Sequence, residues 1–513
     1  MPKIYQRLIL QSRDRNFLLR SSIIIGIISI LIGIVLPNIS KQENQTIERL
    51  EISCPWIKTE SLPIIMNRLN QKTVERIMNY SNGKGFDEAS IARMAREGLY
   101  STASLLGIPQ NILKPETQKL IENYVTIMSD SEKKDSELLL KLMTAAESKK
   151  PKRFAAEFYA DILISMGKNE ESLHFYEIEI MHYPQSDHAR NGIMRALLAL
   201  EKTSKLEELF SNKEYRNSMS NHTFENVASR LGKWISLTKR NITFIFQNLN
   251  FVWLSVTTFT ATIWFCIIIS LGRAGNLPLI RIPLYGFGFI AGFVSTFVVL
   301  GLVFWQENEL QFKLNGEIIN DSLYVICGIG LREELIKLLF FTPFLFILLK
   351  RRCPMEALAT AACIGLGFAC SENLLYFGPG SEAAVFPRFL TANFFHASLT
   401  GIAGLSLFYF SLWPKTRWEG FIGTFILVVT AHGAYDALVG LVPQLAKPLS
   451  IFSIIIFALI SNYYLNSAKE VREGSSAAIS PLGIFVIGSS TLIGITWILA
   501  CHLNPIREVI TTI

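Results

Sequence analysis

Residues 330–337 read Gly330-Leu331-Arg332-Glu333-Glu334-Leu335-Ile336-Lys337, and they lie inside an otherwise apolar stretch running from about 320 to 349. Four charges in six positions would end most membrane spans, yet the flanking Tyr324-Val325-Ile326 and Leu338-Leu339-Phe340-Phe341 are hydrophobic. Either the stretch is a soluble core helix or it is a membrane helix carrying charges for a purpose. The rest of the chain decides between them. Runs of about 20 apolar residues are long enough to cross a bilayer. Outward from this one they recur at roughly 21–36, 250–272, 283–305, 355–378, 387–412, 418–441, 448–465 and 481–503, which makes nine spans in all. The fold class is all-α, a polytopic bundle of membrane helices.

The chain has 513 residues, 49 Lys+Arg, 42 Asp+Glu and 50% hydrophobic side chains, but these are spread unevenly. Residues 38–249 hold 29 basic and 27 acidic groups, whereas residues 250–513 hold 15 and 14. The organisation is therefore a tail and signal-anchor helix over 1–37, a soluble helical domain over 38–249, and a multi-span membrane domain over 250–513. No small-residue cleavage site follows the first apolar run, which closes Leu36-Pro37-Asn38, so it reads as an uncleaved anchor. The net charge of +7 belongs to no single patch, which argues against a nucleic-acid partner. Of seven cysteines only Cys54 falls in 38–249, and no C-x-x-C pair exists, so a disulfide scaffold and a zinc ribbon are excluded.

Loop charges orient the bundle. With the five basic residues of the N-terminus in the cytoplasm, the cytoplasmic loops hold Arg273 and Arg281; Lys350, Arg351 and Arg352; Lys415 and Arg417; and Lys469 and Arg472. This expects a multi-pass protein of the cytoplasmic membrane with residues 38–249 on the far side. Within that domain, residues 152–210 read as helical hairpins broken at Gly167-Lys168-Asn169 and Tyr183-Pro184-Gln185-Ser186. The register Gly167, Ser172, Tyr176, Pro184 matches loosely one tetratricopeptide unit. A generic helical hairpin array explains it as well, and either version is a surface for a protein partner.

Ionisable groups inside a bilayer are costly and mark function by default. Besides Glu333, Glu334 and Lys337, the fifth span carries Glu372, Asn373 and Tyr376, the sixth His396, and the seventh His432 and Asp436. At 1.5 Å per residue these fall at similar depths, in the outer half of the core. Residues four apart share a helix face, which pairs Glu333 with Lys337, Glu372 with Tyr376 and His432 with Asp436. Glu334 is turned about 100° away. A lone polar group of this kind often only bonds a neighbouring helix; four sets on consecutive spans argue for one site. Arg388 reads as an interfacial anchor, and the glycines at 286, 288, 328, 330, 365 and 367 as close-packing positions. The chemistry that such groups support is hydrolysis. A carboxylate takes a proton from water, while two histidines and a further carboxylate bind a metal or polarise a carbonyl.

These segments resemble the PrsW family of intramembrane proteases, whose pattern is E-E-x-x-K, E-N-x-x-Y, R-x7-H and H-x-x-x-D. It is met by Glu333-Glu334 with Lys337, Glu372-Asn373 with Tyr376, Arg388 with His396, and His432 with Asp436, over roughly 280–465. The resemblance implies cleavage of a membrane-anchored protein substrate, anti-sigma-factor-like in some members, by a glutamate-activated water. It also implies a candidate divalent metal such as zinc. Glu333 is the expected base with Glu334 as runner-up, and Glu372, His396, His432 and Asp436 are the expected metal ligands. Two other classes use the same residue types: a receptor or scaffold without catalysis, and a proton- or ion-coupled transporter.

Overall fold

The computed structural model describes residues 3–39, 53–57, 71–81, 85–130, 137–272, 281–377, 382–472 and 479–503. Arg273, used above to orient the bundle, lies outside them, as do parts of 38–249. The described residues form helices and no strand. The chain divides into two compact units, one of Met1–Ile39 with Gly232–Ile513, the other of Ser40–Leu231.

Among its described residues the first unit contains nine long helices: α1 (Arg15–Ile39), α2 (Phe251–Leu271), α3 (Ile282–Glu309), α4 (Leu331–Arg351), α5 (Pro354–Tyr376), α6 (Ala392–Leu412), α7 (Pro414–Asp436), α8 (Ile451–Glu470) and α9 (Pro481–Leu503). Eight are apolar and long enough to span a membrane. The exception is α4, because Arg332, Glu333, Glu334 and Lys337 crowd its first two turns. At 1.5 Å per residue, its 21 residues are still about 31 Å long, matching a ~30 Å hydrocarbon core.

The centre of this unit is α5. It is buried along most of its length and packs against α3 on one side and α6 on the other. Its small residues allow this. The place of a Cβ on Gly365 is taken by the His396 carbonyl of α6, and that on Gly367 by the Phe289 carbonyl of α3. Gly286, by contrast, faces open space and has no such role. Pro354 opens α5, and Glu356 in its first turn pairs with Arg281 at 2.5 Å and Arg351 at 3.1 Å. Those pairs tie the start of α3 and the end of α4 to the start of α5, at the end of the bundle opposite the polar segments.

Two local features shape the other end. Residues Tyr324–Gly330 form a π-helical turn leading into α4, a rare geometry that recurs at functional sites. This turn crosses α7 at Gly330 and Gly433, where backbone meets backbone. At the periphery α1 lies along α9: Ser490 Oγ donates to Ser22 Oγ at 2.9 Å, the Ser480 N–H donates to Ser12 Oγ at 2.9 Å, and Gly33 packs under Trp497. The Trp234–Gln247 helix also belongs to this unit, with Thr238 against Gly301 of α3. The unit boundary thus falls at 231/232, ahead of residue 249 where the charge count places it, because the 234–247 helix packs along α3, with Phe246 against Phe297.

The second unit is a run of short helices. Ala155–Ser165, Asn169–His182 and Asp187–Ala199 pack in succession, with breaks at Gly167, which has a positive φ of 77°, and at Tyr183–Ser186. Tyr176 fits over Gly192, and its hydroxyl donates to Asp161 at 2.7 Å. Asp161 also takes Arg96 Nε at 2.9 Å and His188 Nε2 at 2.8 Å. Burial pushes its carboxyl up, yet His188 and Arg96 outweigh this and hold it well below the usual carboxylate range.

Candidate active site

Successive helices run in alternating directions, so the start of α4, the end of α5, the start of α6 and the end of α7 meet at one end of the bundle. Each delivers polar groups there. Lys337, with no exposed surface, is the hub: its Nζ lies 2.8 Å from Glu334, 3.3 Å from Glu333 and 3.0 Å from His396 Nδ1, and 3.8 Å from the centre of the Phe368 ring. The sequence spacing pairs Lys337 first with Glu333; the i,i+3 contact to Glu334 is the shorter one.

The two glutamates are unlike. Glu334 is fully buried and committed to three partners, Lys337, His432 Nδ1 at 2.8 Å and the Thr400 hydroxyl at 3.2 Å. Glu333 is held only by Lys337 at 3.3 Å, while His432 Nε2 lies 3.6 Å away, beyond hydrogen-bond length. Both approaches fall on Glu333 Oε2, which leaves Oε1 with no hydrogen bond among the described residues.

Bonding fixes the imidazole roles. An ammonium only donates, so His396 Nδ1 accepts from Lys337 and Nε2 is the atom that faces Glu372, at 3.2 Å. A carboxylate only accepts, so His432 Nδ1–H donates to Glu334, which turns Nε2 toward Glu333 and toward Asp436 at 3.5 Å. The two rings are 5.0 Å apart, centre to centre. Glu333, His396 and His432 offer ligand atoms all within 4.8 Å of one another. Glu372 and Asp436, which the sequence places among the metal ligands, flank that trio, each next to one imidazole.

Arg388 does more than anchor the chain. Its Nη2 pairs with Glu372 at 3.0 Å, its Nε donates to Asn373 at 2.6 Å, and it stacks over Tyr376. Asn373 donates in turn to Asn393 at 2.8 Å. Sequence reasoning missed Thr400, Asn393 and Phe368. Thr400 had a signal, since it lies one turn after His396 on the same face. Phe368 sits four before Glu372 and reads as ordinary core.

His432 Nε2, which has no hydrogen bond among the described residues, and the carboxylates beside it make a donor set of the kind that holds a catalytic divalent ion such as zinc, and His396 joins it through Nε2 once Lys337 releases Nδ1. The residues present fit that group.

Residues 281–462 match the family model described as PrsW family intramembrane metalloprotease. No curated protein and no solved structure matches the chain. The family match stops short of the second unit and lends its tetratricopeptide-like register no support. It contains all four polar segments, and over residues 281–462 the chain is similar to the PrsW family of intramembrane metalloproteases.

Proposed function

We propose that the membrane unit hydrolyses a peptide bond in a membrane-anchored protein, using water activated by Glu333. The observation that carries this reading is the contrast between the two glutamates: Glu334 is saturated by three partners, whereas Glu333 holds only Lys337, through one oxygen, and clusters with both histidines within 4.8 Å. Glu333 takes a proton from a water held between it and the imidazoles, the hydroxide formed attacks the scissile carbonyl, and the proton passes on to the leaving amine. Glu334 fixes the His432 ring through Nδ1, and Arg388 fixes Glu372. His396 and His432, with one of the adjoining carboxylates, would hold a divalent ion. When bound, such an ion acidifies the water and polarises the carbonyl. Lys337 offsets the charge of both glutamates, which a low-dielectric site would otherwise keep apart.

The chain is read as an anchor, a partner-binding domain and a protease domain, with the last boundary at 231/232 in place of the 249/250 of the charge count, since the Trp234–Gln247 helix belongs to the membrane unit. The N-terminus lies in the cytoplasm and the second unit across the cytoplasmic membrane from it, a placement supported by the loop charges. The balanced charge and helical hairpins of that unit suit a surface that selects or presents the substrate, an anti-sigma-factor-like or other regulatory protein. Glu333→Gln tests the reading, since the amide keeps the shape and loses the basicity. Expressed at wild-type level, this variant should cleave no membrane-anchored reporter yet still bind it and keep its metal. Near-normal cleavage would overturn the assignment, and lost metal would make Glu333 a ligand instead of a base.

A further inference from the structure

The Trp234–Gln247 helix lies along α3, with Thr238 against Gly301 and Phe246 against Phe297. A groove of about 460 Å³ runs between the two, lined by Trp234, Ile235 and Ile242 of the helix and by Phe297, Val298 and Leu302 of α3. Gly301 leaves the room for it. A Cβ there would only touch Thr238, at 3.4 Å, so the approach of the two helices does not need a glycine, and the missing side chain is space. The hydroxyls of the lining are spent on their own helix: Thr238 donates to the Trp234 carbonyl at 2.8 Å, and Thr243 to the Lys239 carbonyl at 2.9 Å. Lys239 is the exception. It lines the groove, it is exposed, and its ammonium has no partner among the described residues.

Depth and charge together select an occupant. Gly301 lies four residues inside the end of the apolar run 283–305, about 6 Å within the edge of the hydrocarbon core on the side of the polar site. Lys239 follows Thr238 and starts level with Gly301, and a lysine stem is long enough to carry its charge out to the headgroups. The helix carries Lys239 and Arg240, follows Lys233, and contains no Asp or Glu. Glu309, at the end of α3, stands at Gly232, ahead of Lys233. A basic amphipathic helix at this depth attracts anionic lipid. An apolar protein segment would fill the walls and leave the ammonium bare. A water-soluble anion would meet the ammonium and leave the walls empty. A lipid with a negative headgroup satisfies both.

We propose that this groove holds one anionic phospholipid of the leaflet on the polar-site side, with an acyl chain against Gly301 and Phe297 and its phosphate on Lys239 Nζ.

The test uses the full chain in phosphatidylcholine vesicles in which increasing fractions of the lipid are replaced by phosphatidylglycerol or phosphatidylcholine brominated on the acyl chain. Bromine quenches an indole that it touches, and Trp234 lines the groove. Subtracting the signal of the matching Trp234→Phe protein isolates Trp234 from the other tryptophans. Brominated phosphatidylglycerol should reach half-maximal quenching at about one fifth of the fraction that brominated phosphatidylcholine needs, the preference that one cation near an anionic surface confers. Lys239→Gln should bring the two lipids together, and Lys239→Arg should keep them apart, with thermal melts showing that each variant folds. Gly301→Leu fills the groove and keeps the charge, and should weaken quenching by both lipids. Equal quenching by the two lipids in the wild type, or a phosphatidylglycerol preference unchanged in Lys239→Gln, would overturn the proposal. Quenching unchanged in Gly301→Leu would also overturn it, because the lipid would then lie on the helix surface and not in the groove.

Discussion

Replacing Gly433 with alanine should disable the site without altering any charged or hydrogen-bonding side chain. Gly433 follows His432 and crosses the π-helical turn. A Cβ there would stand 2.5 Å from Ile326 Cα and 2.6 Å from the Val325 carbonyl oxygen. Both are backbone atoms, so no rotamer change relieves the contact. Carbon atoms rest at about 3.5–4.0 Å, so α7 and the turn must separate by roughly 1 Å or more. His432 travels with α7, and its 2.8 Å bond to Glu334 would stretch beyond useful length. A misplacement of about 1 Å costs on the order of 100-fold in rate, or about 2.7 kcal/mol of transition-state stabilisation. Overpacking itself should cost about 1–3 kcal/mol of stability. The assay is cleavage of a membrane-anchored reporter by purified protein in liposomes, with a thermal melt alongside. Gly423→Ala, on the same helix but with nothing within 4 Å of its Cβ, is the control and should cleave normally. Gly433→Ala turnover within twofold of wild type would refute the reasoning, and equal losses in both variants would point to helix flexibility instead of the crossing.

His396→Ala and His432→Ala should abolish turnover and lower the content of bound divalent metal measured by mass spectrometry, whereas Asp436→Asn, beside His432 at 3.5 Å, should lose about 10–100-fold. Burial, and then the neighbouring Glu157, push the Glu179 carboxyl up to about 7 from an ordinary 4.5. The folded state thus keeps a proton that the unfolded chain gives up. Its contribution is full below pH 4.5 and declines toward pH 7, by up to ~3 kcal/mol. Denaturant melts of the second unit's transition should show this decline, and Glu179→Gln should remove it. A reporter active only outside the cytoplasm should give signal when fused near residue 150 and none at 415; the reverse pattern would invert the bundle.

The polar segments were legible because each breaks an apolar run, and their order along the chain was enough to place them at one end of an alternating bundle. What the sequence does not carry is helix rotation. The i,i+4 rule links Glu333 to Lys337, but whether Lys337 leans to Glu333 or Glu334 depends on His432 and Thr400, which arrive from other helices. For the same reason the grouping of Glu333 with both imidazoles, with Glu372 and Asp436 alongside, follows from how α7 is set against the π-helical turn. That turn has no distinctive composition, since Tyr324–Gly330 reads like any glycine-containing span. Arg388 is the instructive case. Its position at the start of an apolar run fits a membrane-surface anchor, and only the fold shows it reaching Glu372 and Asn373.

The contact between α1 and α9 joins residues 468 positions apart, Ser12 with Ser480 and Ser22 with Ser490. A ribosome working at roughly 5–20 residues per second needs about half a minute or more to make the intervening chain. Throughout that time α1 sits in lipid with its serines and the Gly33 notch uncovered, so it waits for a neighbour made 468 residues later. A nascent chain stalled before residue 480 would leave α1 open to whatever other helix the membrane offers.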